Sequence, residues 1–282
     1  MTIHLVFITH NRLEYTKLAL ASVLAEPTEE FSLTIWDNAS TDGTVEYLKD
    51  GIKDPRIKEV IISKENLGQT GAMNYVWSKT KAELVGKLDN DCLVTAGWTR
   101  TLAKAHEDIE RLGAVACWHY PLGEFDEKAA RKAGKIQSFE GHQIFRHPWV
   151  CGSGFIMKRR TYEEFGPWKK GCDVGTTYYF LKMALGGYIN GWYYPLILQE
   201  HMDDPKSKHT LLTNDESVRR LHDVTYSLRT NNIWDMKRRW ARRRVVLNNL
   251  FNDPWEAEYY VGWRAKLRRI KNRVKKILLG VY

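Results

Sequence analysis

Short apolar runs alternate with helical spacings through the first ninety positions of the chain. Ile3–Thr9 reads as a buried strand, and 12–25 carries Leu13, Leu18, Leu20, Val23 and Leu24 at helical spacing. The same alternation predicts strands over 31–36, 57–63 and 83–88, with helices over 42–49 and 68–81 between them. Such a βαβαβαβ rhythm predicts an α/β fold with a mainly parallel sheet flanked by helices. Right-handed crossovers then bring the carboxyl ends of these strands to one edge, where open α/β sheets bind their ligands. That edge would gather 9–12, 37–42, 66–68 and 89–91.

The middle is less regular. Helices are expected over 98–111 and 176–185, and strands over 114–118, 149–157 and 188–198. The polar stretch 123–139 reads as a loop or a short helix, and everything from Glu216 onward is helical and basic.

Of the 282 residues 43% are hydrophobic and 12% aromatic, which supports a sizeable core and excludes wholesale disorder. Cys92, Cys117, Cys151 and Cys172 stand far apart with no CxxC pair. That spacing argues against a zinc ribbon or a disulfide framework and suits a reducing compartment. No stretch approaches the roughly 20 apolar residues of a spanning helix, and the run 3–8 is too short for a signal-peptide core. A soluble or peripheral cytoplasmic protein is expected.

The net charge of +9 is unevenly spread. Residues 217–282 hold 17 Lys+Arg against 5 Asp+Glu, a balance of +12, and residues 1–216 hold 26 against 29, a balance of −3. The expected organisation is therefore a near-neutral body over 1–216 and a basic helical extension over 217–282.

Four polar loops fall at the predicted sheet edge. Leu88-Asp89-Asn90-Asp91 ends a strand on two carboxylates, a place for a hard cation, although an Asn/Asp turn has the same composition. Asp37-Asn38-Ala39-Ser40-Thr41-Asp42-Gly43-Thr44 offers carboxylate and amide groups to a base and ribose, or caps the next helix. Thr9-His10-Asn11-Arg12 and Asn66-Leu67-Gly68, with Asn74 downstream, complete the set.

In this order the four motifs resemble family 2 glycosyltransferases with the GT-A fold, over roughly residues 1–200. The resemblance implies inverting transfer of a sugar from a UDP-, dTDP- or GDP-sugar, assisted by Mn²⁺ or Mg²⁺. Thr9, Asn11 and Arg12 would flank the nucleotide, Asp37 and Asn38 would face base or ribose, and Asn66, Gly68 and Asn74 would line its pocket. Asp89 would reach the ribose with Asn90 beside it, Asp91 would bind the metal, and His201 fits a further metal or diphosphate ligand. The family's usual Glu-Asp pair before the late Gly-Gly-Tyr turn is missing, since Gly175 and Thr176 stand at that spacing. Asp173, one turn earlier, is the candidate general base or else a helix N-cap, with Glu163 and Glu164 as weaker contenders. Trp149, Gly152 and Ser153 would floor the acceptor pocket, core packing being the other use for Trp149.

The extension has a pattern of its own. Trp263, Leu267, Ile270, Val274, Ile277 and Val281 recur at spacings of four and three among basic residues. This is an amphipathic cationic helix suited to an anionic membrane surface. A homo-oligomer contact is its other use, though cationic helices repel one another. The expected setting is the inner face of the cell membrane, with a glycan or lipid-linked acceptor in surface polysaccharide biosynthesis. A nucleic-acid-binding protein using 237–244 is the alternative from another class, and the acidic edge of the body argues against nucleic acid. A sugar nucleotidyltransferase is a third reading, and its glycine-rich phosphate loop is not apparent after the first strand.

Overall fold

The computed structural model describes residues 1–170, 178–224 and 232–278. The first half runs β1 (Ile3–Thr9), α1 (Leu13–Leu24), β2 (Ser32–Asp37), α2 (Thr44–Asp50), β3 (Ile57–Ile62), α3 (Gly68–Lys79) and β4 (Leu84–Asp89). There follow β5 (Cys92–Val94), α4 (Trp98–Asp108), β6 (Leu112–Ala116), α5 (Glu127–Lys132), β7 (Ile136–Phe139) and β8 (His142–Arg146). The chain continues with β9 (Phe155–Lys158), α6 (Arg159–Phe165), α7 (Tyr178–Leu185), β10 (Ile189–Tyr194) and β11 (Gln199–His201). Its last helices are α8 (Asp215–Val224), α9 (Ile233–Ala241), α10 (Arg243–Asn252) and α11 (Gly262–Leu278).

Among the described residues one nine-stranded sheet has the order β3-β2-β1-β4-β9-β6-β10-β8-β7, and β5 and β11 form a separate two-stranded ribbon. β1 pairs in parallel with β2 and β4, and β2 with β3. β9 runs antiparallel between β4 and β6, so the sheet is mixed. Period-two alternation in β1 sends Leu5 and Phe7 to one face, against Tyr15 and Leu20 of α1 and Leu102 of α4. Val6 and Ile8 go to the other, against Met73 and Trp77 of α3 and Phe180 of α7. The strands are apolar on both sides because both faces are covered.

Two expectations need correction, and a third, the loop or short helix over 123–139, is met by a short helix and extended by a strand. The strand expected over 149–157 begins only at Phe155, because 149–154 forms a loop. Its last residue, Gly154, has φ +63°, and a Cβ there would lie 1.6 Å from Gln199 Oε1, so the β11 side chain occupies the space a larger residue would need. The strand expected over 188–198 is shorter: β10 ends at Tyr194, before Pro195, and the next strand, β11, starts only at Gln199. The polar stretch 123–139 contains α5 and β7, with Asp126 capping α5 by accepting from the Ala129 amide.

The extension does not hang free. Leu247, Leu250 and Phe251 of α10 enter the same core as Trp118, Phe145 and Trp192 of the sheet region. Leu212, Val218, Leu221 and Met236 form a small cluster of their own around α8 and α9.

Candidate active site

The loops after β1, β2, β3 and β4 meet at one edge, and β5–β11 closes over it. Cys92 lies opposite His201 in that ribbon, and the Met202 amide donates to the Asp91 carbonyl at 2.8 Å. His201 Nε2 thereby comes to 4.0 Å from Asp91 Oδ2, with side-chain exposures of 27% and 14% that leave both open to a ligand.

Arg12 lies against the same carboxylate. Its guanidinium donates to Asp203 Oδ2 at 2.9 Å, Asn90 Oδ1 at 2.8 Å and Asp91 Oδ2 at 3.2 Å. Burial alone would raise the Asp91 carboxyl, but His201 and then Arg12 outweigh it and hold Asp91 well below the usual range. Burial raises Asp203, and Arg12 only partly offsets this. Asp89 is raised too, by burial, against the pull of Lys87 Nζ at 2.6 Å. One of the three acids is thus kept strongly anionic, the one facing His201.

The donor chemistry fits a hard divalent cation. Asp91, Cys92 and His201 offer ligand-type atoms all within 4.8 Å of one another. Burial and the neighbouring Asp91 push the Cys92 thiol well up, so it stays protonated and donates to Asp91 Oδ1 at 3.2 Å. A carboxylate and an imidazole remain, a pair that suits a hard-to-borderline ion such as Mn²⁺ better than a soft one, with Mg²⁺ relying on the carboxylate. Among the described residues His201 Nδ1 has no hydrogen-bond partner.

The sequence model of glycosyl transferase family 2 matches residues 5–166, from β1 to the end of α6. The chain belongs to glycosyl transferase family 2. No curated protein sequence matches it. Among solved structures, the mannosyltransferase PcManGT from Pyrobaculum calidifontis, in complex with GDP-Man and Mn²⁺, is 17% identical with a TM-score of 0.62, covering 92% of this chain and 69% of that one. S. aureus TarS 1-349 in complex with UDP-GlcNAc is 12% identical with a TM-score of 0.55, over 87% of this chain and 73% of that one. GalNAc-T7 with UDP, GalNAc and Mn²⁺ is 15% identical with a TM-score of 0.57, over 90% and 52%. These likenesses show the GT-A fold, a mainly parallel sheet flanked by helices with a helical C-terminal part.

In this family 2 glycosyltransferase the polar residues of the edge separate into two layers. The lower layer is hydrogen-bonded within the protein, with Thr9, Asp37, Asn38 and Asn90 buried and Asn11 half-buried. Asn90 donates to Thr9 Oγ1, the Asn11 carbonyl and Thr16 Oγ1 at 3.0–3.1 Å. Asp37 accepts from the Ser40 amide at 2.9 Å and from its hydroxyl. Asn38 accepts from Trp36 Nε1 at 2.8 Å and the Leu67 amide at 3.1 Å. Asn11 accepts from the Thr41 amide at 2.7 Å, stitching the first loop to the second. Thr9, Asn11, Asp37, Asn38 and Asn90 thus shape the loops that the sequence reading had them line.

Asn74 differs as well. Its side chain donates to the Trp168 carbonyl at 2.8 Å and accepts from the Trp168 amide at 3.0 Å, clamping α3 to the loop after α6. Asn66 accepts from the Gly68 amide at 2.9 Å and opens α3 at the edge. Ser153 Oγ accepts from the Asp89 amide at 2.9 Å, and the Gly152 carbonyl accepts from Lys87. Trp149 meets Tyr260 edge-to-face at 4.5 Å beneath the Arg268 guanidinium, a packing role toward the extension. Asp173 lies outside the described residues. Glu163 is ion-paired to Arg159, and Glu164 accepts from the Tyr188 hydroxyl.

Sequence reasoning missed three residues. Lys87 is fully buried, yet its ammonium meets Gln69 Oε1 at 2.9 Å, Asp89 Oδ2 and the Gly152 carbonyl. A lysine two positions before Asp89 in an apolar strand was the available signal, since period two puts both on one face. Asp203, two residues past His201, gave a similar one. Trp240 gave none: its ring lies 5.6 Å from that of His201, tilted by 69°.

Proposed function

We propose that this protein transfers a hexosyl or related sugar from a nucleoside diphosphate donor, with inversion, to a hydroxyl of a glycan or lipid-linked acceptor in surface polysaccharide biosynthesis. The observation that carries the reading is the meeting of Asp91 and His201 at 4.0 Å on the edge where the strands of a family 2 glycosyltransferase end. Support also comes from neighbours of the same fold, among them PcManGT with GDP-Man and Mn²⁺ and TarS with UDP-GlcNAc.

Asp91 and His201 would hold a Mn²⁺ or Mg²⁺ ion. When bound, the ion supplies Lewis-acid neutralisation of the departing diphosphate. Arg12 keeps the Asp91 carboxylate anionic and in place. Lys87 holds Asp89 in place at the end of β4, and the amino end of α3 faces the same edge, a favourable end for negative charge. Asp173 is proposed as the base that takes the acceptor proton, since Glu163 and Glu164 are already engaged on α6.

The setting proposed is an anionic membrane surface. No helix among the described residues is long and apolar enough to cross a membrane. On α11, Trp263, Leu267, Ile270, Val274 and Ile277 are 47–66% exposed, so the apolar stripe faces away from the body. Arg268 turns inward to Asp253 at 2.9 Å and anchors the other face.

The test is a panel of UDP-, dTDP- and GDP-sugars followed by released nucleoside diphosphate, with and without EDTA, in wild type, Asp91→Ala and His201→Ala. Metal-dependent release that either substitution abolishes is expected. Turnover unaffected by EDTA and by Asp91→Ala would overturn the metal assignment, and a retained anomeric configuration by NMR would overturn the inversion.

A further inference from the structure

Beside His201 the extension builds a second recess that the donor chemistry does not use. It is a cleft of about 210 Å³ between the segment after β11 and helices α9 and α10, with Trp240, Lys206, Lys237, Arg243 and Arg244 in its wall. Trp240 is the shared wall: it packs on Leu212, Val218, Leu221 and Met236, Arg243 lies over its ring at 5.3 Å, and the His201 ring meets it from the donor side at 5.6 Å. Whatever fills the cleft is therefore one aromatic ring away from the Asp91–His201 pair.

The charges of the cleft do not cancel. It contains two carboxylates, Glu124 and Asp204. Arg243 pairs with both, meeting Glu124 Oε2 at 2.8 Å, and Lys206 meets Glu124 Oε1 at 2.7 Å. Two cations neutralise two anions. Lys237 and Arg244 are left exposed, with no hydrogen bond or ion pair among the described residues, and both border the same recess. The net result is a cleft with two uncommitted positive charges and an indole between them and the donor site.

This combination has a defined chemical counterpart. An indole face offers apolar contact to a sugar ring, and a lysine with an arginine offers charge-assisted hydrogen bonds to phosphate oxygens. We propose that this cleft is an acceptor subsite for a phosphorylated sugar, with the ring on Trp240 and the phosphate between Lys237 and Arg244. The acceptor role rests on the glycosyltransferase reading above; binding of a phosphorylated sugar does not. The basic character of α9 and α10 then acts on the substrate, separately from the apolar stripe of α11. The phosphate could belong to a free sugar phosphate or to a diester linking the sugar to a lipid or a longer glycan, since both present the same oxygens.

Calorimetry on the full chain tests this, with the donor site saturated by Mn²⁺ and whichever of UDP, dTDP or GDP binds. The probes are glucose 1-phosphate, its methyl phosphodiester and methyl glucoside. The charged probes should bind, and methyl glucoside should bind at least about tenfold more weakly. Lys237→Glu/Arg244→Glu should weaken the charged probes by about tenfold or more, while Lys237→Arg/Arg244→Lys retains them. Reversing two distant charges, Lys49→Glu/Lys53→Glu, controls for net charge and should change binding less than about twofold. A preference for the monoester points to a free sugar phosphate, and equal binding of the diester points to a linked one. No binding of either charged probe, equal binding of methyl glucoside, or an unchanged Lys237→Glu/Arg244→Glu variant would each overturn the proposal. Failure of every nucleoside diphosphate to bind would instead sink the glycosyltransferase reading, and the cleft would then be probed without nucleotide.

Discussion

Arg12→Met is the most informative single change in this protein. Arg12 joins residues 78, 79 and 191 positions away: Asn90, Asp91 and Asp203. Its side chain is 20% exposed and those of its two acidic partners are 14% and 10%, so the cluster is largely shielded from solvent. Removing one member of such a cluster leaves carboxylates without their counter-charge, which costs about 3–5 kcal/mol. Methionine keeps the apolar stem and, like arginine, is an L side chain at the φ of +62° found here, so backbone strain cancels in the comparison. Urea denaturation in EDTA should show a loss of about that size. Because Asp203 shares the guanidinium, Arg12→Met/Asp203→Asn should cost less than the two single changes together, by about 0.5–3 kcal/mol. Mn²⁺ should restore part of the loss in Arg12→Met, since an ion at Asp91 replaces the missing positive charge. A loss below about 1 kcal/mol, or strict additivity in the cycle, would refute the claim that Arg12 holds this edge together.

Gly154→Ala should destabilise by about 1–3 kcal/mol, read as a lower Tm, because φ is +63° and the new Cβ meets Gln199 Oε1. It should also weaken Mn²⁺ binding, since Gln199 and His201 share β11; unchanged Tm and metal affinity would contradict this. His106 is buried against the Ile156 carbonyl at 3.0 Å, and burial lowers its pKa to about 3. The unfolded state therefore takes up a proton near pH 6.5 that the folded state refuses. Stability is full above that pH and falls by about 1.4 kcal/mol per unit from there toward pH 3. His106→Gln should flatten the acid limb of the urea midpoint, and an unaltered slope would exclude this role. Leu267→Glu/Ile270→Glu lies on the exposed stripe of α11 and should abolish flotation with phosphatidylglycerol vesicles without moving Tm. Equal flotation would remove the membrane surface from the proposal.

The elements from β1 to β4 were legible because each declares itself locally. A strand buried on both faces must be apolar throughout, and a helix over it must show one apolar stripe, so neighbouring residues carry the whole signal. The edge loops followed from topology once the strands were assigned, which placed Asp89 and Asp91 at the edge, whereas His201 was named only through the family resemblance. The assignment of roles within those loops could not be made that way. Thr9, Asn38 and Asn90 have the same polar composition as residues that face a ligand. Only the burial created when β1, β2 and β4 pair makes them the floor.

The remaining decisions were made across long stretches of chain. Register between β5 and β11 sets His201 opposite Cys92, more than a hundred residues away, and no local periodicity encodes that pairing. Lys87 looked like an interruption in an apolar strand until the Gly152 carbonyl and Gln69 supplied its partners. The charge split at residue 217 was visible in composition, and it suggested a tail set apart from a body. Packing adds what composition does not show, because Phe251 fills the sheet's core and Trp240 stands against the site. Sequence determined which segments fold and which loops share an edge, since those follow from short-range patterning. Tertiary structure decided which polar groups meet, which are sealed in and which stay open, since burial and charge pairing belong to no single segment.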